Sequence, residues 1–176
     1  MTRRVLAALA ALLGVLALFA GSPYRARPAA LSVTAVELAE WIRDRKPELR
    51  IIDLRTEEQF DDYHLPRAER MAAESLAATP FKPEETIVLV SGDARAAEAL
   101  GNRKVYVLRG GLHGWIDEVM NPTVAENASP AARAAFQRAS VVSRYFGGVP
   151  RIVDKLPTPR REDTAAAIAA IRRRGC

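Results

Sequence analysis

The sequence is short of thiols, imidazoles and aromatic rings. It has one cysteine, Cys176, the last residue. That excludes an intramolecular disulfide and a cysteine-built metal site. The two histidines, His64 and His113, are far apart and have no partner at ligand spacing, so no metal site is expected. No cofactor motif is present. Aromatic residues make up 6% of the chain, and neither a zinc-finger pattern nor a glycine-rich RNA-binding motif occurs, so nucleic acid is not an expected partner. The formal net charge of +5 does not contradict this, because it is unevenly spread. Residues 31–121 hold 12 Lys and Arg against 17 Asp and Glu, a net of −5, and basic segments flank them. An acidic folded core with basic ends is the pattern.

About half of the 176 residues are apolar, enough for a packed core. One long uncharged run exists: residues 5–20, VLAALAALLGVLALFA, behind Arg3 and Arg4. Its position and basic flank suit a signal peptide or an uncleaved signal anchor. Phe19 and Pro23 make a poor cleavage site, which favours the anchor. Arg3 and Arg4 would keep the N-terminus in the cytoplasm and send the rest across as a single-pass protein; Arg25 and Arg27 weaken that orientation. Residues 22–30, SPYRARPAA, read as a linker. The expected organisation is an anchor and linker over 1–30, a domain over 31–121 and a basic helical tail over 122–176.

Within the domain, Thr34 and Glu37 fit a capping box, followed by Leu38, Trp41 and Ile42 at helical spacing, with Pro47 closing the helix. Residues 49–54 read as a buried strand and 57–61 as a helical turn. Further short strands are expected at 69–71, 87–90 and 105–108, and helices at 72–78, at 94–100 and after Gly110-Gly111. Short apolar strands alternating with helices predict an α/β fold, with a mostly parallel sheet of four or five strands covered on both faces. Ile52, Leu54, Val88, Val90, Val105, Val107 and Trp115 should be largely buried. In the tail, Ser129, Pro130 and Gly147 bracket a helix carrying Phe136, Ala139, Val142 and Phe146 as a core-covering stripe. A Pro-rich connector follows, then a short helix ending in arginines.

Three motifs in order carry a family resemblance. They are Asp53-Leu54-Arg55; Glu58, Phe60, His64, Leu65, Pro66 and Ala68, with Tyr63 and Arg67 where that signature has glycine; and VYVLRGGLHGW over 105–115. Together they resemble a single rhodanese domain over residues 34–121, which implies the three-layer rhodanese-like fold. In active members of that family a strand ends in a catalytic cysteine, then a loop whose backbone N–H groups face inward, then an arginine. Here the loop reads Val90, Ser91, Gly92, Asp93, Ala94, Arg95. Arg95 matches the loop arginine, and the cysteine position falls on Val90 or, with a loop one residue shorter, on Ser91.

Neither residue is a thiol. Sulfur transfer needs an atom that ionises near neutral pH and can hold a second sulfur, and a serine hydroxyl does neither. Asp93 would oppose an anionic donor, and it also suits a helix N-cap. Asp53 and Arg55 read as a supporting ion pair, His64 as a packed neighbour and Trp115 as core. The expectation is an inactive, membrane-tethered module with no catalytic residue, binding an unknown protein or small molecule. Two alternatives stay open: a sulfurtransferase or thiol-redox protein using Cys176 or a partner's thiol, and a structural envelope protein.

Overall fold

The computed structural model describes residues 31–91, 94–101, 103–156 and 163–173. The apolar run at 5–20, Gly92, Asp93 and Cys176 lie outside the described residues. Five strands form one sheet: β1 (Leu31–Val33), β2 (Leu49–Asp53), β3 (Ala68–Arg70), β4 (Thr86–Leu89) and β5 (Lys104–Leu108). Their spatial order is β1-β5-β4-β2-β3, and every pair is parallel. β1 was not anticipated. Three residues are too few to show an alternation, and only pairing with β5 defines it as a strand.

Period-two alternation splits the side chains into two cores. Leu49, Ile51, Val88, Val90, Leu108 and Val33 join the larger one. Its cover is α1 (Ala35–Arg43), α4 (Gly111–Trp115) with a π-helical turn (Ile116–Met120), and α5 (Pro130–Tyr145). Ile52, Ile87, Leu89 and Val105 point the other way, onto Leu76, Phe81 and α3 (Ala94–Glu98). Of the seven residues expected in the core, Leu54 and Val107 are only partly buried. Leu54 lies beyond the end of β2, and Val107 faces the side that the short α3 covers.

Caps set several boundaries. Thr34 Oγ1 accepts from the Glu37 N–H at 3.1 Å. Thr56 and Gln59 form a reciprocal capping box on α2 (Glu57–Asp62). The alanine-rich stretch expected as a helix over 72–78 makes only a 3-10 turn (Ala73–Ser75) with no side-chain cap. Helix nucleation is costly, and an uncapped run of that length gains too little to offset it. The Trp115 helix runs on to Met120, with its last turn π-wound and closed by the Asn121 N–H on the Ile116 carbonyl at 2.9 Å.

The tail packs onto the domain. Ser129 caps α5 as expected, and Ala139 and Val142 are buried against the main core with Phe146 packed beside them. The start of the Pro-rich connector contributes a strand. β7 (Arg151–Val153) pairs in parallel with β6 (Thr123–Ala125). The last helix, α6 (Asp163–Arg173), buries Ile171 completely. Among the described residues no helix is long and apolar enough to cross a membrane.

Candidate functional site

In the order β1-β5-β4-β2-β3 the chain leaves β2 toward β3 and leaves β4 toward β5. Adjacent strands β2 and β4 thus send their connections in opposite directions. The crevice outside the carboxyl ends of strands at such a switch point is where open parallel sheets bind ligands. The residues there are Asp53 and Arg55 after β2, Val90 and Ser91 after β4, and Gly110 and Gly111 after β5.

Asp53 is fully buried, so its charge must be paired and hydrogen-bonded. Arg55 supplies both. Its backbone N–H donates to Oδ1 at 3.0 Å, Nε reaches both oxygens at 3.0 Å, and Nη2 donates to Oδ2 at 2.6 Å. The guanidinium is in turn fixed by carbonyls at the end of α2: Gln59 O from Nη1 at 3.1 Å and Tyr63 O from Nη2 at 2.7 Å. The Tyr63 hydroxyl accepts from Trp115 Nε1 at 3.2 Å. One polar chain therefore runs from Asp53 to Trp115. Sequence reasoning took Asp53 and Arg55 for an ion pair and Trp115 for core, but it missed Tyr63 as the joint between them. Tyr63 stands where the resembling signature has glycine, and that substitution was the available signal.

Val90 and Ser91 have different surroundings. Val90 continues β4, its N–H bonded to Ile52 O at 2.9 Å, and its side chain is fully buried in the main core. Ser91 is exposed, and its hydroxyl donates weakly to Asp53 Oδ1 at 3.5 Å. Of the two positions the alignment left open, Ser91 is therefore the one whose side chain faces the crevice. Gly111 closes the floor. Its φ is +53°, and a Cβ there would lie 2.9 Å from the Val90 carbonyl oxygen, so only glycine lets the two loops approach this closely.

Arg95 is exposed on α3. His64 is exposed just beyond the end of α2, its ring stacked on Phe60 at 4.1 Å and Nδ1 3.0 Å from the Phe60 carbonyl oxygen. Its contacts are thus one helical turn back along the chain and do not include Ser91. Among the described residues no cluster of His, Cys, Asp or Glu could hold a metal. The site as described offers a hydroxyl, a committed carboxylate and a glycine-lined floor. Among the described residues the carboxylate beside the hydroxyl is Asp53, and its oxygens are directed at Arg55.

Residues 34–118 match the family model described as the rhodanese-like domain. No curated protein matches the chain. Among solved structures, the rhodanese-like domain of an Anabaena sp protein is 26% identical, covering 48% of this chain and 71% of that one, with a TM-score of 0.43. A single domain sulfurtransferase from Saccharomyces cerevisiae is 15% identical, covering 50% and 89%, also with a TM-score of 0.43. A Bacillus halodurans protein is 18% identical over 49% and 71%, again at 0.43. With its parallel sheet, its Asp53–Arg55 pair and its double-glycine turn before Trp115, the segment 34–118 is a rhodanese-like domain, of a family that includes sulfurtransferases.

Proposed function

We propose that this chain is a membrane-tethered rhodanese-like module that binds a ligand or protein partner at the Ser91 crevice and does not transfer sulfur. The observation that carries the reading is Ser91, exposed at the end of β4 beside Asp53. A hydroxyl stands where the chemistry needs a thiolate, and the chain's one cysteine is residue 176. Beside a carboxylate already committed to Arg55, a serine hydroxyl stays protonated, and it cannot store a persulfide. The tether rests on the uncharged run at 5–20 behind Arg3 and Arg4, with the domain on the extracytoplasmic side by the positive-inside rule.

The test is thiosulfate:cyanide sulfur transfer by the full chain and by its Cys176→Ala variant. Neither should turn over. Turnover that survives in Cys176→Ala would make the serine loop the source and sink the proposal. Turnover lost only on that substitution would favour a thiol enzyme working through Cys176. Protease protection of the membrane-bound chain checks the tether, and a full-length chain found entirely in the cytoplasm would refute it.

A further inference from the structure

The helix α2, whose carbonyls hold Arg55, is capped at its start by Thr56 and Gln59 but poorly supported by its own sequence at its C-terminal end. It has six residues, none of them buried, with acidic residues at both ends and no basic residue in its last turn. Asp61 and Asp62 sit where the helix dipole is already negative, an arrangement that disfavours the helix. Besides the Arg55 guanidinium on the Gln59 and Tyr63 carbonyls, a second cation reaches this end from 110 residues further along the chain. Arg172 Nη2 donates to the Asp61 carbonyl oxygen and to Asp62 Oδ1, both at 3.2 Å. The residue before it, Ile171, is fully buried in the main core, where Ala167 and Ile168 also pack. Tyr63 and Trp115 belong to the same core. Thus α6 sets an apolar anchor into the core and, one residue on, a charged clasp on α2.

We propose that α6 is a strap that sets the site at a distance: its docking holds the end of α2, the end of α2 holds Arg55, and Arg55 holds Asp53 beside Ser91. The links are 3.2 Å from Arg172 to Asp61 and Asp62, 2.7 Å from Arg55 to Tyr63 O, 3.1 Å from Arg55 to Gln59 O, and 2.6 Å from Arg55 to Asp53. When α6 lifts away, the end of α2 loses the cation that reaches Asp61 and Asp62, and with that end loosened Arg55 loses fixed acceptors. A partner that engages the Ala167, Ile168 and Ile171 face would therefore loosen the crevice without touching it. This device is independent of whether the crevice binds or transfers sulfur.

Hydrogen exchange on the full chain tests it, comparing the wild type with Ile171→Asp, with Arg172→Glu, and with Arg172→Glu combined with Asp62→Arg. Local opening exchanges independently of the global core. In Ile171→Asp the amides of residues 55–63 and 91 should exchange about tenfold faster or more, while those of β2, β4 and β5 keep their protection. Arg172→Glu should give about a threefold increase confined to residues 59–63, in keeping with an exposed pair. Adding Asp62→Arg should restore the wild-type rates. Uniform acceleration across the sheet would mean that α6 is ordinary core, and unchanged exchange at 55–63 would mean no coupling; either result overturns the strap. If Ile171→Asp does not fold, the charge-reversal pair decides alone: local acceleration with rescue supports the proposal, and its absence overturns it.

Discussion

Asp53 and Ser91 lie next to each other at the carboxyl ends of neighbouring strands, yet they are built to opposite standards. Asp53 is buried and accepts from Arg55 through both the side chain and the backbone. Ser91 is exposed and makes one long contact, 3.5 Å to that same carboxylate. The carboxylate side of the crevice is fully braced, and the Ser91 side offers a lightly held hydroxyl. A binding module needs the first and can dispense with the second, because shape and fixed polar groups hold a ligand without a nucleophile. Substitutions on the two sides should separate these roles.

The largest effect is expected at Asp53. Replacing it with alanine leaves the Arg55 guanidinium largely buried without its counter-charge, since that side chain is only 14% exposed. Removing one partner of a buried pair costs about 3 kcal/mol or more. Chemical denaturation should show a loss of that order, with Asp53→Asn losing less because its amide still accepts one bond. A loss under about 1 kcal/mol would mean that the brace is worth no more than a surface pair.

Next comes the floor of the crevice. Gly111→Ala places a Cβ 2.9 Å from the Val90 carbonyl oxygen at a φ of +53°. Strain of this kind costs about 1–3 kcal/mol. The change should also push the loop after β4 outward, which near-ultraviolet circular dichroism of Trp115 would register. An unperturbed Trp115 signal with full stability would mean that the two loops are not in close register.

Much of this was legible in the sequence. The short apolar runs at 49–52 and 87–90 gave the strands and, through the parallel pattern, the end of the sheet where the site must lie. Thr34 and Ser129 announced helix starts because capping is a local interaction. What the sequence hid was non-local. β1 exists only because β5 pairs with it, and β7 because β6 does. Tyr63 links Arg55 to Trp115, which lies 52 residues away from it in the chain, and no pattern within one element carries that information. The choice between Val90 and Ser91 was likewise undecidable from spacing; it turns on where β4 stops.

A smaller effect is expected where an ion pair is exposed. Glu40 on α1 receives a hydrogen bond from Arg138 on α5 at 2.7 Å, with the arginine 61% exposed. That hydrogen bond, helped by the arginine's charge, holds the Glu40 carboxyl below its usual value. A carboxylate whose folded-state value is depressed stabilises the fold above its unfolded value and loses that contribution as pH falls through the folded one. Stability of the α5 docking should therefore be flat near neutrality and decline below about pH 4. Screening by solvent keeps the contribution to about 0.5 kcal/mol, and Glu40→Gln should remove that part of the acid slope. A change comparable to Asp53→Ala would erase the distinction between the buried and the exposed pair.

The smallest effect is expected at Ser91 itself. Ser91→Ala removes one hydroxyl whose hydrogen bond among the described residues, to Asp53 Oδ1, is at the long limit. The side chain is exposed, so no cavity forms and no buried polar group is stranded; Asp53 keeps its bonds from Arg55. Surface substitutions without such consequences stay within about 0.5 kcal/mol, and equilibrium unfolding should find this one there. Ser91→Cys should be equally mild and should add little sulfur transfer. A thiol alone does not create the aimed N–H groups that a preorganised site requires. Thiosulfate:cyanide assays on the Ser91→Cys chain, in a Cys176→Ala background, measure this directly. Strong turnover would show that the crevice is still arranged for a thiolate and that position 91 alone had been given up. A stability loss above about 1 kcal/mol for Ser91→Ala would mean instead that the hydroxyl braces Asp53, and the two sides of the crevice would then be one unit.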